Sequence, residues 1–208
     1  MEPSITIYLI IAISLVSVVA FSDQRLFTSL LFEPFVMKAR GEWHRLLTHA
    51  FIHANWPHLV VNMFVLYMFG HNVELLYGMV SDRPVWSTYL LLFLGGVVFS
   101  SMPGFKRHAL DPGYRAVGAS GGVSSVLFAQ ILMLPTTEVS FLLLPIPLPA
   151  WVFGVLYLLY SWQMDKRGGD NVAHDAHFYG AVFGVLFTVV LDPRLITQIG
   201  YLQRSIGL

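Results

Sequence analysis

The 208-residue sequence predicts an all-α membrane protein: a bundle of six transmembrane helices in one domain covering residues 1–208, with a long first loop partly embedded in the membrane. Three observations carry that reading. The chain is 56% hydrophobic and 12% charged, about half the charged share of an ordinary soluble domain, so lipid is the solvent that suits it. Six stretches reach the roughly 17 to 25 mostly apolar residues that a helix needs to cross a bilayer core of about 30 Å. Nothing alternates with period two between Gly-rich turns, which argues against a barrel.

The first span is Ile5 to Phe21. No basic residue precedes it and no small-residue cleavage pattern follows it, so it reads as a retained helix rather than a signal peptide. The others are Leu59 to Tyr77, Val85 to Met102, Val117 to Leu134, Val139 to Trp162 and Ala173 to Leu191. Proline and glycine punctuate their ends: Pro57 and Pro84 before the second and third, Pro103 and Gly104 after the third, Pro135 after the fourth and Pro193 after the last. In the first loop, residues 22–58, the segment Leu26 to Met37 is apolar but too short to span, and it belongs in the interface with Trp43 and Trp56. Residues 78–84 and 135–138 are short turns, so nearly all the non-spanning sequence leaves the membrane on one side. That side carries nine Lys or Arg against three on the other, and the positive-inside rule would place it in the cytoplasm.

Twelve basic residues balance twelve acidic ones, which leaves no charge surplus to attract a nucleic acid. The absence of cysteine removes disulfides, thiolate metal sites and a cysteine nucleophile together.

Polar groups at membrane depth are costly, so each is a candidate for function or for a buried structural bond. They are His58 and Asn62 at the start of the second span, Glu74 near its end, Ser120 early in the fourth, and His174, Asp175 and His177 at the start of the sixth. Even-numbered spans all begin on the side of the long loops. Ser120 and His177, each about one turn inside its span, therefore share one depth and one face with His58 and Asn62. Small residues suggest which helices touch. Gly118-Ala119-Ser120-Gly121-Gly122 opens the fourth span, and Gly180 and Gly184 form a GxxxG pair in line with His177. A serine becomes a competent nucleophile when an adjacent histidine takes its proton. Asn62, His58 and the backbone N–H groups at Ser120 are the donors such chemistry would need for an oxyanion.

Each feature also has a plainer reading. A lone GxSG in a membrane helix is most often packing, and a lone intramembrane histidine is as often a structural bond as a catalyst; the joint placement is what favours catalysis. His49 and His53 have the i, i+4 spacing that can grip zinc, but no HExxH accompanies them and satisfied loop histidines are preferred, so no metal is expected. Glu74, an acid near a helix end between Gly70 and Gly78, is expected to bond backbone or a neighbouring loop, and Arg45 to anchor the first loop to head groups or carbonyls. A transporter would show repeats or broken helices in matching positions, and the chain has neither.

The run Glu42-Trp43-His44-Arg45, His49, His53, His58 and Asn62, then Gly70-x-x-x-Glu74-x-x-x-Gly78, Gly118-Ala119-Ser120-Gly121 and Ala176-His177-x-x-Gly180-x-x-x-Gly184 resembles the rhomboid proteases in order and spacing over roughly residues 40 to 191. The resemblance implies an intramembrane serine endopeptidase with a Ser120–His177 dyad and no third acid. It implies an oxyanion site from His58, Asn62 and the Ser120 backbone, and structural roles for Arg45, Glu74, Gly118, Gly121, Gly180 and Gly184. Its substrates would be transmembrane proteins entering between the second and fifth helices, with no metal or organic cofactor. The cavity would open away from the cytoplasm, in a membrane such as the bacterial inner membrane, which reverses the orientation from charge counting. Two positions depart from the family pattern: His44 separates Trp43 from Arg45, and Ser124 stands where an aromatic ring usually lies under the histidine. A non-proteolytic module that binds membrane proteins is the alternative, and the presence of both Ser120 and His177 counts against it.

Overall fold

The computed structural model describes residues 4–141, 144–167, 174–197, 204 and 207, and they are mostly helical. The long helices are α1 (Ile5–Ser22), α5 (Trp56–Val80), α6 (Val85–His108), α7 (Ser120–Met133), α8 (Ala150–Arg167) and α9 (His174–Leu191). Three of them, α1, α5 and α6, are both long and apolar enough to cross a membrane; α7 and the stretch Asp175–Leu191 of α9 are shorter apolar helices. The predicted sixth span began at Ala173, which lies outside the described residues.

Helix α7 is central. It packs against α5, α6, α8 and α9, and its residues Gly121 to Ile131 are buried without a break. Its 14 residues rise about 21 Å, short of a bilayer core of about 30 Å. It begins at Ser120 rather than at Val117, because Gly118 has φ +116° and cannot continue a helix. Ser120 is therefore the first helical residue, not one lying a turn inside the helix. Helix α5 starts earlier than expected, at Trp56, with Asn55 accepting from the His58 N–H and Pro57 in the first turn, where no N–H is needed.

Two further expectations are corrected. Pro103 and Gly104 lie inside α6, which runs on to His108; the packed neighbours of a membrane helix tolerate the missing N–H, and Lys106, Arg107 and His108 complement the helix C-terminus. The fifth helix begins at Ala150 and not at Val139. Residues Glu138–Phe141 (β1) and Leu144–Pro149 (β2) pair as an antiparallel hairpin, so the connection after α7 is no short turn. Prolines 145, 147 and 149 exclude a helix there, while their alternation leaves one edge of the strand free to pair.

The first loop is folded. Helices α2 (Gln24–Leu30), α3 (Pro34–Arg40) and α4 (Arg45–Thr48) and a 3₁₀ turn, His49–Phe51, lead into α5. Trp43 and Trp56 are exposed, as an interfacial position requires. Arg45 is buried and donates to the Thr28 and Leu31 carbonyls, both at 2.8 Å, and to Glu42 at 2.7 Å. Carbonyls are one of the two anchors expected for it.

Glu74 binds the start of α1. Its carboxylate accepts from the Ser4 hydroxyl, the Ile5 and Thr6 backbone N–H groups and the Thr6 hydroxyl, at 2.5 to 3.0 Å. These N–H groups have no partner within the helix, and the positive end of the helix dipole favours the charge. Gly70, one turn earlier, admits this contact: a β-carbon there would lie 2.5 Å from the Thr6 hydroxyl. Glu74→Gln weakens four charge-assisted bonds and is expected to cost about 2 kcal/mol. Thermal unfolding in detergent measures it, and an unchanged midpoint would refute the cap.

Candidate functional site

The site is assembled where α7 meets α9. A β-carbon on Gly180 would overlap the Gly121 carbonyl oxygen, and one on Gly184 would sit 2.8 Å from the Ser125 α-carbon, so the two helices touch backbone to backbone. The Ser125 hydroxyl lies 2.9 Å from both the Gly121 and the Gly180 carbonyl oxygens and spans the seam. Further along it, Thr188 donates to the Gly184 carbonyl at 2.7 Å, which leaves the Tyr77 hydroxyl to donate to Thr188 at 2.8 Å and ties in α5. This is the contact that the GxxxG spacing predicts.

Ser120 stands immediately before Gly121 and His177 three residues before Gly180, so both lie at the end of this seam. Ser120, His177, His58 and Asn62 line one cavity of about 270 Å³. Its remaining wall is apolar, with Val61 and Val65 from α5 and Phe153, Tyr157 and Tyr160 from α8. Val61 and Tyr160 are also exposed, so the cavity opens between α5 and α8. Asn62 is buried and donates one of its two amide N–H groups to the His58 carbonyl at 2.9 Å. A second space of about 20 Å³, room for a water molecule, lies on the other side of Ser120 among His49, Ser100, Ser101 and Asp175.

The strand-like segment before Ser120 is held by the first loop. Phe32 and Ala116 exchange backbone hydrogen bonds of 3.1 Å in both directions, and the Gly118 N–H donates to the His49 carbonyl at 2.9 Å. Arg115 pairs with Glu33 at 2.8 Å, and Glu33 also lies 3.4 Å from Arg45. Gly118 is required twice over: its φ is +116°, and a β-carbon would fall 2.7 Å from the His58 ring.

His49 and His53 act as loop fasteners, in line with the structural reading. His49 Nδ1 donates to the Arg45 carbonyl at 2.8 Å, and its Nε2 faces Ser101 at 3.3 Å. His53 Nε2 accepts from the Ala119 N–H at 3.4 Å, which places the ring proton on Nδ1; that proton goes to Ser17 of α1 at 2.9 Å, and Ser17 donates on to the Phe51 carbonyl. One proton assignment satisfies the whole chain. The Ala119 N–H is thereby engaged, which narrows the backbone donors near Ser120 to those of the helix start itself.

Over residues 40–194 the chain matches the family model described as "Rhomboid domain". The chain belongs to the rhomboid family. Together with its candidate spans, this makes it an integral, multi-pass membrane protein. The rhomboid chain is 29% identical over 157 residues to "RHOMBOID-like protein 12, mitochondrial" of Arabidopsis thaliana, covering 70% of itself and 46% of that protein. It is 32% identical over 174 residues to "Rhomboid protease GluP" of Bacillus subtilis, covering 81% of itself and 32% of that protein. With "Inactive rhomboid-related protein 2" of Caenorhabditis elegans it shares 30% over 156 residues, 72% of itself and 41% of that protein. It spans about half the length of the first curated relatives it matches.

Sequence reasoning missed two neighbours of His177. Tyr157 of α8 lies against the His177 ring, with centroids 5.6 Å apart and planes at 28°, and Ser161 Oγ stands 3.1 Å from His177 Nδ1. The ring that the resemblance puts at position 124 comes from α8 instead, and Ser124 bonds its hydroxyl at 2.7 Å. The signal was present: Tyr157 and Ser161 are i, i+4 partners on one face of an apolar helix.

Burial keeps both loop histidines neutral. It lowers the His49 pKa to about 4 and, with the nearby His58 ring as a second cause, that of His53 to about 3. Between these values and the usual 6.5 or so, the unfolded chain binds protons that the folded one does not, so stability falls as pH falls through that window. Each ring is expected to cost about 2 kcal/mol between pH 7 and 5. Unfolding in detergent across that range measures the slope, and the same slope in a His49→Asn, His53→Asn double variant would assign it elsewhere.

Proposed function

We propose that this rhomboid chain is an intramembrane serine endopeptidase that cuts transmembrane proteins in or near their membrane span with a Ser120–His177 dyad. The observation that carries the reading is the shared cavity: a hydroxyl, an imidazole and two further polar side chains converge in a space whose outer wall is apolar and lipid-facing. Further support comes from the shortness of α7, which at about 21 Å leaves room for Ser120 to lie below the lipid surface. In this reading α1, α5, α6, α7, α8 and α9 are the six spans. A substrate helix enters between α5 and α8, and the site opens away from the cytoplasm of a bacterial cell membrane.

The chemistry is proton transfer coupled to acyl transfer. His177 takes the Ser120 hydroxyl proton as the oxygen attacks the scissile carbonyl carbon, giving a tetrahedral oxyanion and an imidazolium. The second Asn62 N–H, the His58 ring and the Ser120 backbone N–H stabilise the oxyanion. The imidazolium then protonates the leaving amine, the C–N bond breaks and an acyl-serine remains. Water, for which the small polar space beside Ser120 has room, gives its proton to His177 and attacks the ester, releasing the carboxylate product and restoring Ser120. The dyad needs no metal and no organic cofactor.

A relative named as inactive keeps a second reading in view, a module that binds membrane proteins without cutting them. The presence of Ser120 and His177 favours the protease. Purified protein in detergent, offered a transmembrane substrate, is expected to cleave it, and Ser120→Ala and His177→Ala are each expected to lose about 10³-fold or more in rate. Equal cleavage by all three proteins would dispose of the dyad; capture of the substrate without cleavage by any of them would favour the binding module.

A further inference from the structure

We infer that Tyr157 and Ser161 of α8 are positioning residues that hold His177 in the tautomer and orientation a base requires; the inference deepens the Ser120–His177 reading and rests on it for its catalytic meaning. Ser161 is buried, and its hydroxyl lies 3.1 Å from His177 Nδ1. With this hydroxyl accepting the Nδ1–H, the lone pair on Nε2 is left to receive a proton. The Tyr157 ring lies nearly parallel against the imidazole and restricts its rotation. Tyr157 is itself held at its far end, by the 2.7 Å bond between its hydroxyl and Ser124 of α7.

The arrangement couples three helices through one ring. Ser124 stands four residues after Ser120, on the same face of α7, so the helix that carries the hydroxyl also anchors the tyrosine that orients the imidazole. Ser161 stands four residues after Tyr157 and reaches the same imidazole from one turn further along α8. Helix α8 thus does two things at once: its Phe153 and Tyr160 wall the opening of the cavity, and its Tyr157 and Ser161 contact the base.

The test reads the His177 tautomer directly, by ¹⁵N and ¹³C NMR of histidine-labelled protein in detergent, with His177→Ala to assign the signal. The wild type is expected to show the Nδ1–H form, Ser161→Ala a mixture of tautomers, and Ser161→Thr, which keeps the hydroxyl, the wild-type pattern. In cleavage assays Ser161→Ala is expected to lower kcat about tenfold with KM unchanged, the worth of one hydrogen bond. Tyr157→Leu is expected to lower kcat further, while Tyr157→Phe, which keeps the ring and loses the Ser124 bond, falls between it and the wild type. Should Ser161→Ala not fold, Tyr157→Phe and Ser161→Thr carry the test with the same readouts. A Ser161→Ala protein with the wild-type tautomer and kcat within twofold of wild type overturns the inference. A wild type that cleaves nothing, with the tautomer still shifting in Ser161→Ala, sinks the protease reading and leaves the positioning intact.

Discussion

The site depends on one approach, the direct backbone contact of α7 and α9 at Gly121 with Gly180 and at Ser125 with Gly184. Between helices in lipid there is no hydrophobic drive to close a gap, because the tails are as apolar as leucine; dispersion and interhelical hydrogen bonds must do it, and both fall off within an ångström. Glycine brings the backbones close enough for the Ser125 hydroxyl to reach carbonyls on both helices, as it does at 2.9 Å. His177 and Ser120 sit at the end of this seam, so their proximity is a consequence of a contact made by other residues. A methyl group at position 180 would move the imidazole away without touching it.

A second constraint acts along the chain rather than across it. Ser120 is the first residue of a helix, and the direction in which its side chain points is set by the segment that feeds it. That segment is extended, takes a positive φ at Gly118, and has four backbone groups engaged by the first loop: the N–H and C=O of Ala116 by Phe32, the Gly118 N–H by His49 and the Ala119 N–H by His53. The loop is in turn closed by Arg45, whose burial among carbonyls and carboxylates would be costly to leave half made. The ionic and imidazole groups of the first loop are therefore structural, and they explain why a segment rich in charge and histidine contributes only His58 to the cavity.

Chain order alone led to the expectation that Ser120, His177, His58 and Asn62 share one face, and the four line one cavity. The GxxxG pair marked α9 as a helix that a neighbour approaches closely, because close approach requires small residues, and that neighbour is α7. What was not legible has physical reasons. Pro103 reads as a stop but is tolerated within α6, since neighbouring helices can compensate a missing N–H in a bundle. Val139 to Trp162 reads as one apolar run, and its alternating prolines, which mark the hairpin, were outweighed by hydropathy. Tyr157 and Ser161 share a helix face, but nothing in that run says that His177 lies against it. Helical position alone cannot say that the family's ring at 124 had moved to another helix, because the compensation is spatial and joins residues 33 apart in sequence.

The relocation also changes where the site is firm and where it can yield. Around the cavity, α7 and α9 meet through backbone atoms, and packed backbones cannot adjust without separating the helices. Helix α8 meets α7 differently: at Gly154, its point of closest approach by glycine, the nearest atoms are the ends of the Ile131 and Phe128 side chains, which can rotate. The softer of the two interfaces therefore belongs to the helix whose Phe153 and Tyr160 border the opening of the cavity and that also carries Tyr157 and Ser161. A displacement of α8 large enough to widen that opening would lengthen the Ser161–His177 and Tyr157–Ser124 bonds together. The hydroxyl and the imidazole would remain on rigid supports while the groups that orient the imidazole moved with the wall. A ring fixed at position 124 would have kept its grip on His177 whatever α8 did, and in that respect this chain differs from its family pattern.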